Sequence, residues 1–217
     1  MRKAALLQTL SATAAATFVG GCLTLSTGPG AAAISANTKK QVVMGKSAWQ
    51  GENDCSATAT LAKIAGNLVV TVNVTDDYTS REGCEPYEKD GVELFLDLRR
   101  DKQRGKSFYD KGAFQVIVVP PKEDGKAKIY WYQGEGEAPY VAVPGTIATY
   151  VKTKNGYQIT VSFPLKGLEK KHYPLGDTLN FAFGVNDVDK SGVRTQIVSS
   201  GSENNYQDPS GLAPVKL

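Results

Sequence analysis

Histidine is almost missing from this 217-residue chain: His172 is the only one. Methionine and tryptophan occur twice each and cysteine three times. A Ser–His–Asp triad would have to use His172, which lies in the turn-like stretch Lys170–Gly176 and reads as an exposed loop residue. No serine stands in a G-x-S-x-G setting. Haem held by Met and His is disfavoured on the same count, since Met44 and His172 are the only candidates beyond the N-terminus. Two isolated cysteines and one histidine cannot supply four zinc ligands without carboxylates. An excess of one charge is lacking too. The net charge is +3, and removing residues 1–21 takes Arg2 and Lys3 but no acid, leaving +1. No basic field remains to hold nucleic acid, and Lys170-Lys171-His172 reads as a solvated turn.

No apolar run is long enough to span a bilayer, which takes about 20 residues. Arg2 and Lys3 precede a short apolar stretch, Ala4 to Val19, and Gly20-Gly21 stand before Cys22, the layout of an export signal. Val19-Gly20-Gly21-Cys22 resembles the lipobox of bacterial lipoproteins, whose cysteine becomes the lipidated first residue; an ordinary signal peptide carrying a cysteine is the alternative. Leu23 after it resembles the sorting signal for the outer membrane in enteric bacteria. The expectation is a signal peptide over 1–21, lipidation at Cys22, and a periplasmic or surface location with the outer membrane favoured. Residues 22–40, rich in Ser, Thr, Gly and Ala, read as a flexible tether, and 41–217 as one domain. With Cys22 lipidated, Cys55 and Cys84 are left as one possible disulfide pair, with metal binding as the alternative.

Strand patterns fill the domain. Leu68, Val70, Val72 and Val74 alternate with Val69, Thr71 and Asn73, and Val92, Leu94, Leu96 and Leu98 with Glu93, Phe95 and Asp97. Further runs are Phe114–Val119, Lys128–Tyr132, Thr146–Val151, Tyr157–Phe163 and Leu179–Val185, with Thr58–Ile64 and Val193–Val198 as two more. Gly66-Asn67, Asp124-Gly125 and Asn155-Gly156 suit hairpin turns. No sustained helical period appears beyond the signal. The pattern predicts an all-β antiparallel β-sandwich of the jelly-roll or immunoglobulin-like kind.

Candidate chemistry is sparse. Glu93 and Asp97 share a strand face, but their Cα atoms are about 13 Å apart at roughly 3.3 Å per residue, against about 5–9.5 Å for hydrolytic pairs. Asp76, Asp77, Asp187 and Asp189 are oxygen-rich turn positions. Asn186-Asp187-x-Asp189 with Gly192 echoes calcium-loop spacing without the closing Glu, and such residues also satisfy turn backbone. Tyr78, Tyr87 and Tyr206 fall in loops, where rings can pack against the C–H face of a sugar.

The order of motifs adds to this. Trp49-x-Gly51-x-x-Asp54-x-Ser56-Ala57, Asp90–Asp97, Gln115, Gly156-Tyr157 leading to Phe163-Pro164, and Asn204-Asn205-Tyr206 resemble the family 9 carbohydrate-binding modules over roughly Val42 to Leu217. That resemblance implies a β-sandwich with structural calcium and a sugar clamp of two loop tryptophans supported by Glu, Arg and Asn. Carried across, the clamp falls at Tyr87 and Tyr206, the acid at Glu93 and the amide near Asn205, with Gln115 on the next strand. Both clamp positions are tyrosine here, and Phe114–Ile117 offers no arginine. The implied function is non-catalytic binding of an oligo- or polysaccharide. The alternatives are an envelope interaction protein that kept the fold without the site, and a glycoside hydrolase acting on O-glycosyl bonds.

Overall fold

The computed structural model describes residues 33–100, 103–136 and 138–217. The signal sequence, Cys22 and most of the tether lie outside the described residues. Every strand pairing is antiparallel. In chain order the strands are β1 (Ile34–Ala36), β2 (Val42–Met44), β3 (Cys55–Ile64), β4 (Asn67–Asp76), β5 (Gly91–Asp97) and β6 (Ala113–Val119). They continue with β7 (Gly125–Tyr132), β8 (Ile147–Thr153), β9 (Gly156–Pro164), β10 (Thr178–Val188), β11 (Arg194–Val198) and β12 (Ala213–Lys216). Hydrogen bonding runs β1-β3-β4-β9-β8-β7-β6-β5-β10-β11-β2, with β12 also on β10.

β7 closes the architecture. Its first residues, Gly125 to Ala127, pair with β8, and Lys128 to Tyr132 pair with β6. One strand thus serves both halves, and the sheet curls over into the two facing layers of a sandwich. Between them lie the alternating residues: Leu68, Val70, Val72 and Val74 from β4; Val92, Leu94 and Leu96 from β5; Ile159, Val161 and Phe163 from β9. Burying one such side chain is worth about 1.5–3 kcal/mol.

The opposite row of β5 is not solvated as in a simple sandwich. Glu93, Phe95 and Asp97 are all buried, because loops cover that face. Phe95 packs with Ala182 and Leu212 in a second, smaller cluster, beneath the 3-10 turns Glu203–Tyr206 and Pro209–Gly211. This covered outer face carries the candidate site.

Four expectations are corrected. Ile34–Ala36, read as tether, pairs with Ala57, Thr58 and Ala59 of β3, and Ala36 is core; a ladder against small residues needs no bulky pattern that the sequence could display. Leu165–Lys171 forms a short helix pinned by buried Leu168. His172 caps that helix and is buried, not an exposed loop residue. Its Nδ1 and Nε2 lie 2.8 and 2.7 Å from the carbonyls of Lys111 and Val141, and its ring stacks on Phe114. Burial holds its pKa below the usual histidine value, against the pull of those two carbonyls. Finally, the Cys55–Cys84 bond is not formed: both thiols are free. Cys55 opens β3 facing the core, whereas Cys84 is exposed on a loop held by Glu88 Oε2, which accepts the N–H groups of Cys84 and Glu85 at 2.9 and 3.0 Å.

Candidate functional site

The covered outer face holds a cleft of about 360 Å³. Tyr87, Glu93, Gln115, Asn205 and Tyr206 all line it. They arrive from separate parts of the chain: Tyr87 from the 3-10 turn Pro86–Glu88, Glu93 from β5, Gln115 from β6, and Asn205 and Tyr206 from the turn Glu203–Tyr206. Both tyrosines keep their rings accessible, at 40% and 48% exposure. Apolar floor is supplied by Phe95 and Ile117, and a third tyrosine, Tyr132 at the end of β7, adds a wall.

The polar end of the cleft is a network built across four strands. Glu93 Oε2 accepts from Gln115 Nε2 at 2.8 Å, and its Oε1 accepts from Asn186 Nδ2 at 2.5 Å and Gln196 Nε2 at 3.3 Å. Gln196 Nε2 also donates to Asn186 Oδ1 at 3.0 Å. Arg194 Nη2 donates to the same oxygen at 2.7 Å, and its guanidinium carbon stands 5.8 Å from the centre of the Tyr87 ring. Burial raises the Glu93 carboxyl above its ordinary pKa, against the amide donors and the nearby Arg194. Arg194 Nε is shielded from solvent and has no acceptor among the described residues. A buried donor left so costs about 1–3 kcal/mol.

Asn205 is partly committed to the scaffold. Its Oδ1 accepts the N–H of Ser202 and its Nδ2 donates to the Ser200 carbonyl, both at 2.9 Å. Gly201 makes room for that fold-back: at φ +80° it occupies a left-handed conformation, and a Cβ there would lie 2.0 Å from Asn205 Oδ1. Asn205 therefore shapes the turn that presents Tyr206. Asp97 is spent as well. It is buried with Arg99, whose Nε and Nη2 reach its two oxygens at 2.9 and 3.0 Å.

Arg194 is the residue that sequence reasoning missed. The resemblance points to an arginine on β6, where Gln115 stands; the arginine at this cleft comes from β11, three strands along past β5 and β10.

The acidic turns gather at one end of the sandwich, where β3 begins and β4 and β10 finish. Asp54, Asp77 and Asp189 each bring a carboxylate oxygen within 4.8 Å of the others. Asp76 and Asp187, expected with them, are occupied elsewhere: Asp76 accepts from Tyr78 N and Thr79 Oγ1, and Asp187 from Thr195 Oγ1. Asp187 is pushed up to about 7 and Asp90 to about 8, by burial first and then by neighbouring acids. Three clustered carboxylates with no Lys or Arg bridging them among the described residues offer hard oxygen donors that suit calcium. Asp54, Asp77 and Asp189 are the residues that would hold it.

A family model described as carbohydrate family 9 binding domain-like matches residues 31–217. The chain belongs to that family. Among curated proteins, it is 27% identical over 169 residues to the exoglucanase XynX of Acetivibrio thermocellus and 26% identical over 169 residues to the endo-1,4-beta-xylanase A of Thermoanaerobacterium saccharolyticum. Each alignment covers 77% of this chain but only 14% and 13% of those enzymes. The family 9 fold is shared with a carbohydrate-binding module of Caldicellulosiruptor kristjanssonii solved with cellotriose, at TM-score 0.59 and 22% identity, covering 82% of this chain and 80% of that one. A putative carbohydrate-binding protein of Bacteroides uniformis has the same fold at TM-score 0.54 and 8% identity, covering 86% of each chain.

Proposed function

We propose that this family 9 domain binds carbohydrate without transforming it, gripping a neutral sugar between Tyr87 and Tyr206 over a polar floor of Glu93, Gln115 and Arg194. The observation that carries this reading is the convergence of accessible rings and a buried carboxylate–amide–guanidinium network in one cleft. Sugars need both kinds of surface, an aromatic face for C–H groups and fixed donors and acceptors for hydroxyls. Hydrolysis finds less support. Glu93 is held by three amides and Asp97 by Arg99, which leaves neither placed as the partner acid that hydrolysis requires.

The related module solved with cellotriose, and relatives named as an exoglucanase and a xylanase, favour β-1,4-linked chains as the ligand class. A carbohydrate array probed with the purified domain should retain glucan or xylan oligosaccharides. Retention of no neutral glycan would remove the proposal.

The N-terminal signal supports a lipoprotein anchored through Cys22 on the periplasmic or outer surface, outer membrane favoured. Two acyl chains give stable anchoring where one is marginal. Fatty-acid labelling should mark the wild-type protein and not Cys22→Ala; equal labelling of both, or of neither, removes the anchor.

A further inference from the structure

Arg194 borders a second cleft as well as the first. This neighbour holds about 410 Å³ between the loop after β4 and the β10–β11 turn. Tyr87 lines the first cleft and the next residue, Glu88, lines the second, so the two cavities adjoin along Arg194 and the Pro86–Glu88 turn. Tyr78 forms a wall of the second cleft with 37% of its surface exposed, and Lys190 Nζ stands 5.2 Å from its ring centre.

We propose that the second cleft is a further sugar subsite, so that the ligand is an oligosaccharide crossing Arg194 rather than a single terminal ring. The proposal rests on the carbohydrate reading of the first cleft and extends it. Three features of the second cleft carry it. Its volume, like that of the first, lies within the roughly 300–1,000 Å³ of small-ligand sites. Its lining combines an aromatic ring with Ser80, Glu88 and Lys190, groups able to accept from and donate to sugar hydroxyls. At the junction, Arg194 Nη2 is held by Asn186, which fixes the guanidinium between the two clefts that it lines. Both clefts carry mixed charge: Glu93 and Glu203 with Arg194 line the first, and Glu82, Glu88 and Asp189 with Lys190 and Arg194 line the second. A neutral chain suits that balance better than a charged one.

The test is calorimetric titration of the full chain with glucose, cellobiose, cellotriose and cellotetraose, and with the matching xylo-oligosaccharides. Wild-type affinity should rise about tenfold or more from the disaccharide to the tetrasaccharide. Tyr78→Ala should lose that rise and leave disaccharide binding unchanged, while Tyr78→Phe should retain it. Should Tyr78→Ala fail to fold, Lys190→Ala on the exposed turn should lower tetrasaccharide affinity alone, by roughly threefold. A tetrasaccharide advantage that survives removal of Tyr78 or Lys190, or no advantage in the wild type, overturns the second subsite and leaves the first standing. Absence of any binding to the wild type overturns both.

Discussion

Replacing Glu93 with alanine would take the acceptor from three amides at once, those of Asn186, Gln115 and Gln196. Hydrogen bonds to a charged group are worth about 1.5–3 kcal/mol each, but the losses differ in kind. Gln115 and Gln196 line the cleft, where water can take up their donors; Asn186 is fully buried and would keep an unmet N–H. Against this, removing a buried carboxylate removes its desolvation cost. The net destabilisation of Glu93→Ala should be about 2–4 kcal/mol, a fall in Tm of roughly 4–16 °C for a domain of this size. Glu93→Gln should behave differently. Its oxygen can serve Asn186 and Gln196, and the Gln115 amide can turn over to accept from the new Nε2, so stability should stay within about 1 kcal/mol.

The pH dependence follows from the same burial. The folded-state pKa of Glu93 lies above its ordinary 4.5, so the native state holds this proton more tightly than the unfolded chain. Its contribution to stability is complete below pH 4.5 and is lost as pH rises through the folded-state value. The wild type should therefore lose ground to Glu93→Gln as pH is raised from 4.5 towards neutrality. Scanning calorimetry of both variants across that window decides the matter. A glutamine variant as unstable as the alanine one would refute the proposed division of labour.

Two further outcomes are expected. A maleimide should label Cys84 in the native protein and reach Cys55 only on unfolding, because one thiol is exposed and the other lies in the core with its pKa raised by burial; protection of Cys84 relieved by reductant would restore the disulfide. Calcium added to chelator-treated protein at 100 times its dissociation constant should add about 2.7 kcal/mol of stability, read as a rise in Tm, and Asp77→Asn or Asp189→Asn should abolish that rise.

Much of this was legible because it is local. Alternation along Val92–Asp97 places Glu93 away from the core, and the structure shows Val92, Leu94 and Leu96 on the opposite side. The aromatic positions came from motif order, and the turns that carry them do meet at one cleft. What escaped depends on which strands are neighbours. Arg194 reaches Glu93's network only because β10 lies between β5 and β11, a fact no linear pattern encodes. Asp54 joins Asp77 and Asp189 for the same reason, through strand ends that converge in space. His172 shows the converse. Lys170 and Lys171 before it mark a solvated turn, and Lys170 is exposed, but the ring turns inward to two carbonyls and a phenylalanine.

The central claim is that Tyr87 and Tyr206 are the two sides of a sugar clamp, and titration of an oligosaccharide retained on the array tests it most directly. Truncating a stacking ring at a desolvated contact typically costs more than 2 kcal/mol, roughly thirtyfold in affinity. Both rings are substantially exposed and take little part in the core, so Tyr87→Ala and Tyr206→Ala should each lose most binding while Tm moves by no more than about 2 °C. Unchanged affinity in both variants would contradict the account.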